Sequence, residues 1–203
     1  MLYYFVHLNN YIKKFMFRKQ KFRYNNLEVI ILENKTIKVI KNRVSCRSYS
    51  EKAVPLSKVK MVAECGKMAP TARNRQIPFI SVVRSKKYVD RLKALSLEVF
   101  QRDCFYGAKT MLIVHAPRED KFCIQDSTCV LENMFIAAAS LNIASCWINQ
   151  VDDMFATEKG KKLKKALKIP EENMVVGTCI LGYPNDGVNL EVKPRKEDFI
   201  TYL

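Results

Sequence analysis

From Asp126 to Leu141 the chain carries two charged residues, Asp126 and Glu132, and is otherwise small or apolar. This predicts a long helix that is apolar around most of its circumference. Such a helix is stable only where neighbours cover most of its sides, in a core or at a subunit interface. Its most apolar part, Met134 to Leu141, is far short of the roughly 18 consecutive apolar residues of a spanning helix. The rest of the chain must therefore supply the cover. Of its 203 residues 48% are hydrophobic and 27% charged, enough for one sizeable core and unlike a disordered chain.

The periodicities around this helix predict its partners. Thr36–Asn42 reads as a short helix and residues 43–55 as extended or irregular chain. Ser57–Met68 is a helix with Pro55 near its start, and Pro70–Gln76 a polar loop. Phe79–Val83 is a strand, Lys86–Phe100 an amphipathic helix, and Met111–Ala116 a strand stopped by Pro117. Lys159–Lys168 is a basic helix ended by Pro170. Met174–Leu181 is a strand ended by Gly182-Tyr183-Pro184, and Phe199–Leu203 is a short terminal strand. Strands and helices mix without strict alternation, which makes the class α+β.

The net charge is +15. Residues 1–32 contain six of the basic residues and one acid, so +5 lies there and +10 in residues 33–203. This first stretch has no Gly, Ala, Pro, Ser, Thr or Asp and is rich in aromatics. It has no apolar core or cleavage site of a secretory signal. It reads either as a basic membrane-surface helix or, preferably, as an appendage outside the fold. In the second case it is upstream sequence translated ahead of an initiator at Leu32. The domain proper is then 33–203. The seven cysteines are odd in number and scattered, with no C-x-x-C, and only His7 and His115 offer imidazoles. No disulfide framework or metal site is expected, and a reducing compartment, the cytoplasm, suits the thiols.

Nucleotide-binding glycine motifs are missing. No G-x-G-x-x-G occurs, and Gly177-x-x-x-x-Gly182 is followed by Tyr-Pro rather than Lys-Ser/Thr. No G-x-S-x-G nucleophile elbow is present, and His115, at the end of an apolar strand, reads as a structural imidazole. What stands out is an anion-binding pattern. Arg43, Ser45 and Arg47 recur at i, i+2 and i+4, which on an extended segment puts two guanidinium forks and a hydroxyl on one side. Lys193-Pro194-Arg195 repeats the spacing near the other end.

Five segments in order carry a resemblance: Arg43-Val44-Ser45-Cys46-Arg47-Ser48-Tyr49, Ala69–Gln76, Ala137–Ile148, Leu181-Gly182-Tyr183-Pro184 and Lys193-Pro194-Arg195-Lys196. Together they resemble the nitroreductase family of FMN-dependent oxidoreductases, over roughly residues 36–203. The resemblance implies an α+β fold with a central mixed, mainly antiparallel sheet flanked by helices. It also implies an intertwined homodimer in which the C-terminal strand is exchanged and two FMN sites lie at the interface. Arg43, Val44, Ser45 and Arg47, joined by Lys193 and Arg195, are then expected to hold the phosphate and ribityl chain. Pro70, Thr71, Ala72 and Asn74 are expected to line the flavin from the second subunit. Ile148, Asn149 and Gln150 are expected to run beside the flavin, with the backbone N–H of Asn149 near N5.

The implied activity is hydride transfer from NADH or NADPH through flavin N5 to a small electron-poor acceptor, such as a nitroaromatic or quinone, by a ping-pong mechanism. No catalytic side chain or metal is required, and no nucleic acid or stable membrane insertion is expected. Asn142, Ala144 and Asn149 depart from residues common in the family, often glycine at the first two. Cys46 and Cys146 read as small buried groups and Trp147 as a packing residue. Two other readings are a flavin-binding carrier or sensor without turnover, and a basic nucleic-acid-binding protein. The second lacks interleaved aromatics on the Lys159–Lys168 run and any helix-turn-helix or RNA-binding signature.

Overall fold

The computed structural model describes residues 20–24, 27–31 and 34–203. Two compact units divide the chain, residues 1–42 and 43–203. In the first, β1 (Gln20–Tyr24) pairs antiparallel with β2 (Leu27–Ile31), in a register that runs from Gln20↔Ile31 to Tyr24↔Leu27. Residue types that favour strands are plentiful here (Phe22, Tyr24, Val29, Ile30, Ile31). Over these ten residues the structure is strand, not the surface helix that was one reading; the rest of that reading lies outside the described residues. Helix α1 (Lys35–Asn42) follows, its first turn capped by Asn34 Oδ1, which accepts from the Ile37 N–H at 2.9 Å.

The second unit is built on a four-stranded sheet in the order β3-β4-β6-β5, antiparallel throughout. Its strands are β3 (Phe79–Val83), β4 (Thr110–Pro117), β5 (Ala144–Ile148) and β6 (Asn173–Gly182). The only parallel pairing among the described residues is an isolated bridge, Ser45 to Ser145. Around the sheet lie α2 (Leu56–Lys67), α3 (Lys86–Phe100), α4 (Cys123–Ser140), α5 (Val151–Phe155) and α6 (Glu158–Ala166). Strand alternation sorts the core into two layers. Met111, Ile113 and Ile180 face Leu92, Phe105, Met154 and Leu163. Leu112, Val114, Cys179 and Leu181 face Val59, Val62, Leu131 and Met134. Both central strands are thus covered on both faces, which is why β4 reads as one continuous apolar run.

The apolar helix expected over 126–141 is α4, and α2 and the sheet cover it within one chain. Close approach on this side is bought with glycine: a Cβ on Gly177 of β6 would lie 2.6 Å from Trp147 Nε1 and 2.9 Å from Leu131 Cδ1. The helix closes in a Schellman turn, with the Ile143 N–H donating to Ala138 O at 2.9 Å and Asn142 at φ 55°. Asn142 thus occupies a left-handed position that glycine favours and asparagine tolerates.

In the second unit two short elements, β5 and α5, have no counterpart in the sequence reading. One expected element is missing. Residues Glu197–Phe199 form a 3₁₀ turn and residues 200–203 form no strand, although Phe199, Ile200 and Tyr202 are β-formers. A strand needs a neighbour for its backbone groups, and among the described residues none pairs there. No helix among the described residues is long and apolar enough to cross a membrane.

His115 is a structural imidazole. It is 3% exposed, accepts at Nδ1 from Asn173 Nδ2 (2.8 Å), and donates from Nε2 to Ser81 Oγ (3.0 Å). Phe79 stacks on its ring, with centroids 5.7 Å apart. Burial, helped by the nearby Lys164 charge, lowers its pKa to about 4. Its folded pKa lies below its unfolded value near 6.5, so its stabilising share is complete above pH 6.5 and is lost as pH falls towards 4. The loss amounts to about 2–3 kcal/mol. Urea unfolding at pH 7 and pH 4.5 should show this difference narrowed in His115→Gln.

Candidate functional site

The arginine–serine–arginine segment enters the second unit as an extended strip along the β5 edge. Ser45 bridges Ser145, and the Cys46 N–H donates to Ser145 O at 2.9 Å. Farther on, Tyr49 bridges Pro184 and the Ser50 N–H donates to Tyr183 O at 2.8 Å. Asn185 Nδ2 ties the same strip down through Ser48 Oγ (2.9 Å) and Tyr49 O (3.1 Å). The first and fourth sequence segments are therefore one local structure. Gly182 belongs to it because a Cβ there would lie 2.5 Å from Tyr49 Cδ1.

Within the strip Cys46 is fully buried and Tyr49 nearly so, while Arg43, Val44 and Ser45 are half-buried and Arg47 is exposed. Alternation leaves Arg43, Ser45 and Arg47 on the side away from Cys46. The Arg43 guanidinium lies 6.0 Å from the Phe135 ring centroid on α4. Among the described residues no carboxylate pairs with Arg43 or Arg47. Below them, burial raises the Cys146 thiol above its ordinary pKa despite the nearby Arg47 charge. Burial also pushes Tyr49 far up, and its Oη is buried without a partner. These groups stay protonated and serve as packing. Trp147 likewise packs, with its ring 6.0 Å from Phe135.

Strand β5 leads from this cluster to the next candidates. Ile148 is buried opposite Thr178, Asn149 is exposed, and Gln150 is half-buried just before α5, where its carbonyl accepts from the Met154 N–H. From Ser145 to Asn149 the strand advances about 13 Å. The cations therefore sit at one end of β5 and the exposed backbone of Asn149 at the other.

The loop with Pro70, Thr71, Ala72 and Asn74 is fastened elsewhere, to the first part of α4 and the turn before it. The Ala72 N–H donates to both oxygens of buried Asp126 (3.0 and 3.2 Å), and Arg75 grips Asp120 at 2.6 and 2.8 Å. Thr71 Oγ1 accepts from the Gln76 N–H at 3.0 Å. Arg73, Asn74 and Gln76 all have φ near 53°, three non-glycine residues in a sparsely populated region. Asp126 and Phe135 are nine residues apart on α4, about 13 Å along its axis. One chain thus presents the loop and the arginine cluster at separate places along the same helix. Lys193 and Arg195 lie on an exposed segment after β6, with no bond to either place.

Asp120, Asp126 and Phe135 were not singled out in the sequence. A lone acid at the head of an apolar helix was the available signal for Asp126; Phe135 was hidden among the apolar residues.

Three comparisons bear on this fold and site. Residues 40–104 and 94–183 match the Nitroreductase family, described as such. A protein of Archaeoglobus fulgidus, whose name places it among NADH dehydrogenases/NAD(P)H nitroreductases, is 30% identical over 155 residues, covering 74% of this chain and 86% of its own length. A crystal structure of a nitroreductase with bound FMN from Bacteroides fragilis superposes with a TM-score of 0.78 at 29% identity, over 84% of this chain and 100% of its own. A nitroreductase with bound FMN from Desulfitobacterium hafniense gives 0.75 at 26% identity, over 84% and 99%. The chain belongs to the Nitroreductase family, and its fold is the α+β fold of that family. It is an oxidoreductase by that membership.

Asp126→Ala should leave the Ala72 N–H without its partner and release the loop, at a cost of about 1–3 kcal/mol. Trypsin should then cut faster after Arg73 and Arg75. Asp120→Ala, which removes a more exposed pair, should cost less than about 1 kcal/mol. Denaturant midpoints and limited proteolysis on both variants check the order.

Proposed function

We propose that this protein is an FMN-dependent NAD(P)H oxidoreductase working as a homodimer. The observation that carries it is the Arg43–Ser45–Arg47 strip, two carboxylate-free guanidinium forks flanking a hydroxyl on an extended edge, in a chain of this family. The donor set suits FMN, whose phosphate carries about −1.5 to −2 charge at neutral pH. Arg43, Ser45 and Arg47 hold the phosphate end, Val44 adds its backbone, and Lys193 and Arg195 close over it. At the other end of β5, Ile148, Asn149 and Gln150 run along the ring, with the Asn149 N–H directed at N5. The loop with Pro70, Thr71, Ala72 and Asn74 lies some 13 Å away along α4, so in this reading it covers the flavin held by the other subunit.

When bound, FMN would supply the redox chemistry for hydride exchange between NADH or NADPH and an electron-poor acceptor such as a nitroaromatic or quinone, the ping-pong reaction of this reading. The chain's own task is to bind, orient and exclude water. No side chain in the site need act as acid or base: His115 is committed to Ser81 and Asn173, and burial raises the Cys146 thiol. Seven unpaired cysteines suit the cytoplasm.

The purified protein should carry FMN absorbing at about 450 nm, bleached anaerobically by NADH or NADPH. Arg43→Ala and Arg195→Ala should each weaken FMN binding by about 1.5–3 kcal/mol, while Lys86→Ala, whose exposed side chain pairs with Asp90, should not. Equal affinity for riboflavin and FMN would refute the phosphate assignment. A flavin that forms but does not bleach would mark a carrier or sensor.

Phe199, Ile200 and Tyr202 are 82%, 64% and 88% exposed in the single chain, which fits a tail that pairs with a second subunit. Deleting residues 198–203 should therefore loosen the dimer and lower FMN occupancy together, as sedimentation and absorbance on one sample will show.

A further inference from the structure

The basic helix is not used by the proposed flavin site, yet it borders a cleft of its own. This cleft of about 900 Å³ lies between α5, α6 and residues 168–171, with Arg118 on one wall. Six cations line it (Arg118, Lys161, Lys162, Lys164, Lys165, Lys168), against three acids (Asp152, Asp153, Glu171).

The cations are held in different ways. Arg118 is neutralised by Asp152 at 2.7 Å, and Asp152 also accepts the Val175 N–H at 2.8 Å. Lys161 pairs with Glu158 at 2.8 Å. Lys164 is buried and anchored, donating to Glu171 O (2.9 Å) and Asn173 O (2.5 Å). Lys162, Lys165 and Lys168 are exposed, and their side chains make no hydrogen bond or ion pair among the described residues. They add to a series of lysines at i+3 and i+4 spacing, where like charges repel and destabilise a helix. Lys168 also sits just past the helix end at φ 58°, a position that favours glycine. Over the whole lining the six cations exceed the three acids by three.

We propose that the cleft is a binding site for an organic diphosphate. The lining's excess of three positive charges, six cations against three acids, is more than one phosphomonoester neutralises, since it carries about −1.5 to −2. The volume falls within the range of small-molecule sites, roughly 300–1,000 Å³. Phe155, Ala156, Ile169 and Pro170 give the lining an apolar part, which suits an attached base better than inorganic pyrophosphate. A free nucleoside diphosphate and the diphosphate of a pyridine dinucleotide share this chemistry.

Isothermal titration of the purified full chain at 0.15 M salt tests it. ADP should bind saturably, once per subunit and more tightly than inorganic pyrophosphate. The triple variant Lys162→Gln/Lys165→Gln/Lys168→Gln should bind ADP about tenfold more weakly, each solvated contact counting for a fraction of a decade. All three side chains are exposed, so the fold is retained. Arg43→Ala should leave ADP affinity unchanged while weakening FMN, which separates this site from the flavin site. If NADPH competes with ADP, the dinucleotide is the source; if it does not, a free nucleotide is. Absence of saturable ADP binding, or equal affinity in the triple variant, overturns the site. So does loss of ADP binding in Arg43→Ala, or capture of a DNA duplex through the three lysines in place of ADP.

Discussion

Helix α4 has an apolar surface over most of its circumference, and its burial against α2, β4 and β6 positions three separate parts of the molecule. Its first turn presents Asp126 to the Ala72 N–H and so fixes the loop at 70–76. Its middle presents Phe135 beneath Arg43. Its last turn, through Asn142, delivers the chain into β5. A shift of this helix would move all three together. Its packing is close enough that Gly66 as well as Gly177 must lack a side chain: a Cβ on Gly66 would lie 2.7 Å from Met134 Cγ.

Charge is distributed with a similar economy. Acids in the second unit are spent on structural jobs, Asp120 and Asp126 on the loop and Asp152 on Arg118 and β6. The Tyr49 phenol and the Cys146 thiol beneath the arginine strip are neutral through burial. Among the cations without a carboxylate partner in the described residues, two groups stand close together, the strip beside β5 and the outer face of α6.

Much of this was readable in the sequence because the signals were local. Phe79–Val83 and Lys86–Phe100 are found at the expected bounds, and α4 and β6 within a few residues of theirs. The α+β class and the family follow from segments whose order is itself information. Elements that depend on distant partners were not readable. Strand β5 is five residues long and is defined by pairing with β6, and α5 has a single turn. The terminal segment has the composition of a strand, but pairing decides strands and composition does not. The ties of Asp126 and Asp120 to a loop some fifty residues earlier cannot be read from local pattern, whereas the i, i+2, i+4 spacing of Arg43, Ser45 and Arg47 is visible in the sequence itself.

The chain has a single tryptophan, and its surroundings give it a use apart from packing. Trp147 lies on β5 between Phe135 and the bare backbone of Gly177, two residues from Ser145, where the arginine strip is pinned. Its indole is therefore an intrinsic optical probe placed where helix, sheet and strip meet. Indole emission, excited at the red edge beyond the absorption of the nine tyrosines, reports on that junction, free of the overlapping signals that several tryptophans would produce.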